Sequence, residues 1–169
     1  MLKTLALVVL FAVACGGGTR KAVDTGGTAS TAGALLALGE LKLIDVNKDQ
    51  ALLIHADGTI ELDGNKFAKV TADGKLISIG TGEVGLTLRA DGAVIGSDGK
   101  DYGIKIGADG AATIRDMTLS IAPTGELVGG NLDTPTMRIE GATDDKLKRT
   151  AMFVLVVMSI SSEAKPETP

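Results

Sequence analysis

The chain has 169 residues, with 17 lysines and arginines against 21 aspartates and glutamates, and its formal net charge is −4. This length fits one folded domain, and the mildly acidic balance argues against nucleic-acid binding, which needs a concentrated basic face. Aromatic residues make up only 2% of the chain. The core therefore has to be built mainly from leucine, isoleucine, valine and alanine.

The N-terminal residues have the layout of an export signal. One cation, Lys3, precedes an unbroken apolar run over residues 5–14, and small residues follow. Charge, apolar run and small-residue junction in this order are typical of a secretory signal peptide. The run is about half as long as a helix that spans a bilayer. We therefore predict that residues 1–14 are a signal peptide.

The junction Ala12-Val13-Ala14-Cys15 resembles the lipobox of bacterial lipoprotein precursors, in which small residues precede a cysteine that receives a diacylglycerol. The resemblance covers about the first eighteen residues, and Ala12 stands where leucine is usual. It implies that Cys15 becomes the acylated N-terminus and that the protein is membrane-anchored in the cell envelope. The alternative is a plain secreted protein starting at Cys15, because Ala12 and Ala14 also satisfy the A-x-A rule.

Two further features concern this anchor. Cys15 is the only cysteine, and acylation would remove an otherwise unpaired, reactive thiol from an exported protein. Gly16 stands where lipoproteins kept in the inner membrane typically carry aspartate, so the resemblance points to the outer membrane in a cell that has one. Residues 15–34 are rich in glycine, threonine, serine and alanine, which predicts a flexible tether after the lipid-attachment cysteine.

Asp-Gly pairs recur every 16 to 18 residues, at Asp57-Gly58, Asp73-Gly74, Asp91-Gly92 and Asp109-Gly110. Asp-Gly between apolar runs is a strong hairpin signal, because a type I′ turn needs positive φ at both central residues. We predict a β-hairpin repeat domain over residues 35–142, a mainly β antiparallel meander of roughly 10–12 short strands. A sheet this large tends to curl, close or split, giving a barrel-like fold or a sandwich.

Residues 143–162 have a different pattern. Thr143, Asp144 and Asp145 are typical of a helix cap, and the apolar run 151–158 follows them. The valines of this run also permit a strand, but the cap favours a helix. A segment apolar on nearly all sides is normally buried, so we predict one C-terminal helix that packs on the sheet or plugs its mouth. Residues 163–169 are expected to form a disordered tail.

The sequence contains no catalytic or cofactor motif that we can identify. His55 is the single histidine, and without a second histidine or another cysteine the mature domain lacks the residues for ordinary zinc ligation or Cys-His catalysis. A weak calcium candidate is formed by Asp45, Asn47 and Asp49, which match positions 1, 3 and 5 of a calcium loop. The glycine and the bidentate glutamate of such a loop are missing. The repeated aspartates are explained by their turns.

Three functions remain open at this stage. The leading hypothesis is a lipid-anchored envelope lipoprotein whose non-catalytic β domain is a structural module or binds an envelope protein. The second is a carrier of a small hydrophobic ligand inside the curled sheet. The third is a hydrolase, which would need two carboxylates, or His55 and a hydroxyl, in one cleft. The oligomeric state is left open.

Overall fold

A computed structural model of the protein describes residues 34–48, 50–130 and 136–163, with side chains through residue 160. Twelve strands and one helix make up this part of the chain. They are β1 Leu41–Asp45, β2 Gln50–Ile54, β3 Thr59–Leu62, β4 Asn65–Val70, β5 Lys75–Ser78, β6 Val84–Leu88, β7 Ala93–Gly96, β8 Asp101–Ile106, β9 Ala112–Ile114, β10 Met117–Ile121, β11 Leu127–Gly129, β12 Met137–Glu140 and α1 Asp145–Glu163.

The strands form one antiparallel sheet in which β1 to β11 pair with their neighbours in the sequence. The last strand, β12, departs from this order and pairs with β1, where Lys42 lies opposite Glu140. The sheet thus curls until β11 and β12 meet, at a single bridge between Glu126 and Arg138. The fold is a nearly closed barrel, which confirms the predicted curled meander.

The curvature has a local cause in the hairpins. The register shifts by one residue between Ile60 and Glu61 and between Leu76 and Ile77, and by two residues between Ala93 and Ile95. Such bulges bend a strand and increase its twist. Three of them in alternate hairpins help a twelve-stranded sheet to roll up rather than remain open.

Helix α1 lies inside this barrel. Asp144 accepts a hydrogen bond from the Leu147 backbone N–H at 2.9 Å and caps the helix. Five consecutive residues, 150–154, are each at most 1% exposed. Five residues cover more than one helical turn, so α1 is enclosed on every side over this stretch, whereas its first two residues, Asp145 and Lys146, are exposed. The predicted C-terminal helix is confirmed.

The meander gives the barrel two distinct ends. The turns after β2, β4, β6, β8 and β10 lie at one end, together with residues 34–40 and the start of α1; we call this the entry end. The turns after β1, β3, β5, β7, β9 and β11 lie at the other, the open end. Helix α1, about 28 Å long, runs from the entry end towards the open end.

The segment before β1 closes the entry end. The backbone N–H groups of Leu35 and Leu36 both donate to the Ala72 carbonyl, at 2.9 and 3.1 Å. Leu36 is 1% exposed and belongs to the core. From the helix, the Thr150 hydroxyl donates to the Ala37 carbonyl at 2.6 Å. These contacts tie the first described segment and the last element of the chain to the same end.

Candidate functional site

The repeated aspartates stabilise their own turns. Asp57, Asp91, Asp98 and Asp109 each accept a hydrogen bond from the backbone N–H two residues later, at 2.9 to 3.2 Å. The bond from the Thr59 backbone lowers the pKa of Asp57, with the Thr59 hydroxyl adding to it. These carboxylates hold the hairpins in shape, and the geometry around them is that of a turn.

The glycines of the entry end join each turn to the next hairpin. The carbonyls of Gly58, Gly74 and Gly92 accept hydrogen bonds from Val70, Leu88 and Ile106, at 2.7 to 2.9 Å. At Gly92, where φ is +87°, a Cβ atom would lie 2.6 Å from the Ile106 carbonyl oxygen. Only glycine fits such an approach, so the repeat builds a ring of interlocked turns.

His55 lies between two carboxylates at the entry end. Its Nε2 is 3.0 Å from Glu61 Oε2 and its Nδ1 is 3.7 Å from Glu40 Oε2. Glu40 also accepts a hydrogen bond from the Ala56 backbone N–H at 2.8 Å. The cluster therefore ties the segment before β1 to the first repeat turn. Both ring nitrogens face carboxylates rather than the hydroxyl that a hydrolase of the serine type would use.

Of the calcium candidate, Asp45 is the last residue of β1, Asn47 lies in the turn after it, and Asp49 lies outside the described residues. Asp45 accepts hydrogen bonds from the backbone of Asn47 and Lys48 and sits 3.1 Å from the Lys48 ammonium. Desolvation opposes ionisation of Asp45, but these contacts outweigh it and lower its pKa. Within the described chain, no three potential His, Cys, Asp or Glu ligands cluster. The calcium site stays a prediction.

Cys15, the signal peptide and all of the predicted tether except its last residue, Ala34, lie outside the described residues. Within the part of the chain that the structure covers, no helix has the length and apolar character needed to cross a bilayer. The lipid anchor is therefore still a prediction from the sequence alone.

The feature that the sequence did not reveal is the seam between β11 and β12. Beside it lies a groove of about 430 Å³, formed by three pieces of chain: the turn 123–125, the stretch 138–143 and Lys148 of α1. The Ile139 N–H donates to the Gly125 carbonyl at 2.7 Å across the seam. Among the described residues, no bridge other than Glu126–Arg138 joins these two strands. We call this region the seam groove.

The seam groove is polar and carries both charges. Arg138 is 3.0 Å from Glu140 along β12, and Lys148 is 3.7 Å from Asp145 on the helix. The Thr124 hydroxyl donates to Glu126 at 3.1 Å. One sequence signal points to this place, because Pro123-Thr124-Gly125 stands where the earlier repeats have Ala-Asp-Gly. The turn keeps the backbone hydrogen bonds of the repeat turns, because the Ala122 N–H donates to the Glu126 carbonyl and the Gly125 N–H to the Ala122 carbonyl, both at 2.9 Å.

Comparison of the chain with known protein families, with curated protein sequences and with solved structures finds no match.

Proposed function

We propose that this protein is a lipid-anchored lipoprotein of the cell envelope, whose barrel is a non-catalytic module that binds a protein partner at the seam groove. The observation that carries the proposal is the weak closure between β11 and β12. Edge strands offer backbone N–H and C=O groups to an additional strand, and many proteins bind extended peptides in this way. Here two edges face each other next to a polar groove with Arg138 and Lys148.

The position of α1 favours a binding module over a ligand carrier. A carrier keeps its ligand in the space inside the barrel, and in this protein that space holds Met152, Phe153 and Val154, each at most 1% exposed. A ligand would have to displace part of this core, at a large free-energy cost. A partner at the seam groove needs no such rearrangement.

The start of the described chain shows where a tether from Cys15 would join the barrel. The first described residue, Ala34, precedes the segment that closes the entry end. A tether from Cys15 would therefore join the barrel next to the ring of turns. The N-terminal sequence supports this anchor through its resemblance to a lipobox.

Two experiments in the native cells test the two parts of the proposal. Radiolabelled palmitate should be incorporated into the natural protein and not into a Cys15→Ser variant. A photo-crosslinking residue at Thr124, in the seam groove, should give one discrete protein adduct. The same residue at Thr113, exposed on the outer wall, should give none. If the natural protein incorporated no palmitate, it would not be a lipoprotein. If both positions crosslinked equally, the seam groove would not be the binding site.

A further inference from the structure

Large apolar side chains are exposed at only one end of the barrel. Val46 is 51% exposed, Ile79 48%, Met117 41% and Tyr102 36%, and these are the exposed large hydrophobic residues of the described chain. Val46 follows β1, Ile79 follows β5, and Tyr102 and Met117 lie at the starts of β8 and β10. All four positions belong to the open end, because the meander brings them there.

The apolar surface continues across the middle of the same end. Helix α1 reaches it with Met158 and Ile160, which are half-buried against the core, and Met137 at the start of β12 is half-buried beside them. Methionine is flexible and polarisable, and it is frequent at surfaces that adapt to apolar partners. We call the four exposed residues together with Met137, Met158 and Ile160 the open face.

We propose that the open face rests on a lipid bilayer, with its exposed apolar side chains in the interfacial region of the membrane. This proposal rests on the proposed function, because the lipid anchor is what keeps the barrel close to the membrane. It adds which surface of the barrel then touches the bilayer.

The spacing of the exposed residues favours a planar partner. Neighbouring strands lie about 4.8 Å apart, so Val46 and Ile79 are separated by roughly 19 Å along the wall, and Ile79 and Tyr102 by roughly 14 Å. An extended peptide or another narrow partner would cover one or two of these side chains, and only a broad, flat surface covers all of them. A bilayer surface meets all of them at once.

The chemistry of the rim agrees with an interfacial position. Tyr102, the only tyrosine of the chain, has the Lys100 ammonium 5.6 Å from its ring centroid. Tyrosine and lysine both place an apolar body below a polar tip, and both are favoured at the level of lipid headgroups. Acidic residues also lie on the rim, among them Asp98 and Asp101. The mixed charges suit zwitterionic headgroups rather than strongly anionic ones.

The anchor can reach the same membrane. The nineteen residues from 15 to 33 span at most about 65 Å when fully extended. The strands of the barrel have at most six residues, so the distance between its two ends is about 20 Å. A lipid on Cys15 and the open face can therefore occupy one bilayer, and the two attachments then act together.

A single tryptophan reports the orientation directly, because the chain contains none. We expect Ile79→Trp in the natural, acylated protein to lose at least about half of its fluorescence in zwitterionic vesicles whose acyl chains carry bromine, because the ring reaches the acyl chains. Ala90→Trp, exposed in an entry-end turn, is the matched control and should be quenched little. Equal quenching at both positions, or none at Ile79→Trp, would overturn the proposal.

A second measurement separates the open face from the anchor. In the Cys15→Ser chain, which cannot be acylated, Ile79→Asp should lower the partition into zwitterionic vesicles by about tenfold, whereas Ala90→Asp should leave it unchanged. This readout stays valid if the natural protein takes up no palmitate. If the Cys15→Ser chain is a dimer in solution that Ile79→Asp dissociates, a second copy covers the face and the membrane assignment is wrong.

Discussion

The two ends of the barrel are both made of hairpin turns and differ in what covers them. At the entry end, residues 34–40, the first turn of α1 and the ring of glycines pack over the core, and Leu88 and Ile106 are fully buried there. At the open end the turns stand free, and Val46 and Ile79 are half exposed. Asp-Gly turns occur at both ends, yet one end is sealed and the other is apolar and accessible.

Gly92 in an entry-end turn and Gly99 in an open-end turn show this difference between the two ends. Both follow aspartate in a turn and both have positive φ, +87° and +79°. A Cβ on Gly92 would meet the Ile106 carbonyl, whereas a Cβ on Gly99 would meet nothing within 4 Å. The Asp-Gly motif selects the turn at both places, but only at the entry end does the glycine also hold neighbouring hairpins together.

The largest expected effect comes from the core that both ends enclose. Phe153→Ala removes a fully buried ring from the middle of α1, and we expect the free energy of unfolding to fall by about 3–5 kcal/mol. Ile79→Ala at the open end is the control and should cost less than about 1 kcal/mol. Denaturant unfolding followed by circular dichroism measures both. A small loss for Phe153→Ala would contradict the enclosed helix.

Alanine substitutions at Gly92 and Gly99 test whether the entry-end glycines contribute more to stability than those of the open end. Gly92→Ala combines backbone strain with a clash against a carbonyl, so it should lower the free energy of unfolding by about 2–4 kcal/mol. Gly99→Ala carries the strain alone and should cost about 1–2 kcal/mol. The same unfolding assay compares them. Equal losses would mean that the entry-end ring contributes nothing beyond its turns.

The smallest expected effect is on the pH dependence of the protein's stability, through Asp73 in an entry-end turn. The Lys75 ammonium, 2.6 Å from Asp73, and the Thr71 hydroxyl lower the pKa of Asp73. A carboxyl with a lowered folded pKa stabilises the protein above its ordinary pKa and loses this contribution as the pH falls through the folded value. Asp73→Asn should therefore reduce the loss of thermal stability between about pH 5 and about pH 2. An unchanged pH profile in this variant would contradict the assignment.

Much of the architecture could be predicted from local signals. Each Asp-Gly pair lies in a hairpin turn with its glycine at positive φ, and at Asp63-Gly64 both residues have positive φ, +51° and +79°, as a type I′ turn requires. In the four repeat turns only the glycine has positive φ, so the predicted type I′ geometry is wrong there. Alternation placed Ile104 and Ile106 on the inner face of β8. The cap at Asp144 marked the start of the helix. Each of these signals acts within a few residues of the chain, which is why sequence alone could identify it.

The candidate site was less predictable, because it depends on contacts between distant parts of the chain. The seam exists because β12 pairs with β1, almost one hundred residues earlier, and no local pattern announces that pairing. His55 looked like an isolated strand-end residue, and only the fold brings Glu40 and Glu61 to its ring. The seam groove likewise needs a turn, a strand and a helix to meet.

The sequence by itself determined the strands, their hairpin turns, the capped C-terminal helix and the prediction that Cys15 carries a lipid. Only the tertiary structure decided that the helix lies inside the barrel, that the sheet nearly closes at Glu126 and Arg138, and that one end is sealed. The physical reason is the range of the interactions. Turns and caps are satisfied by neighbours in the chain, whereas closure and burial require surfaces that meet only after the sheet has curled.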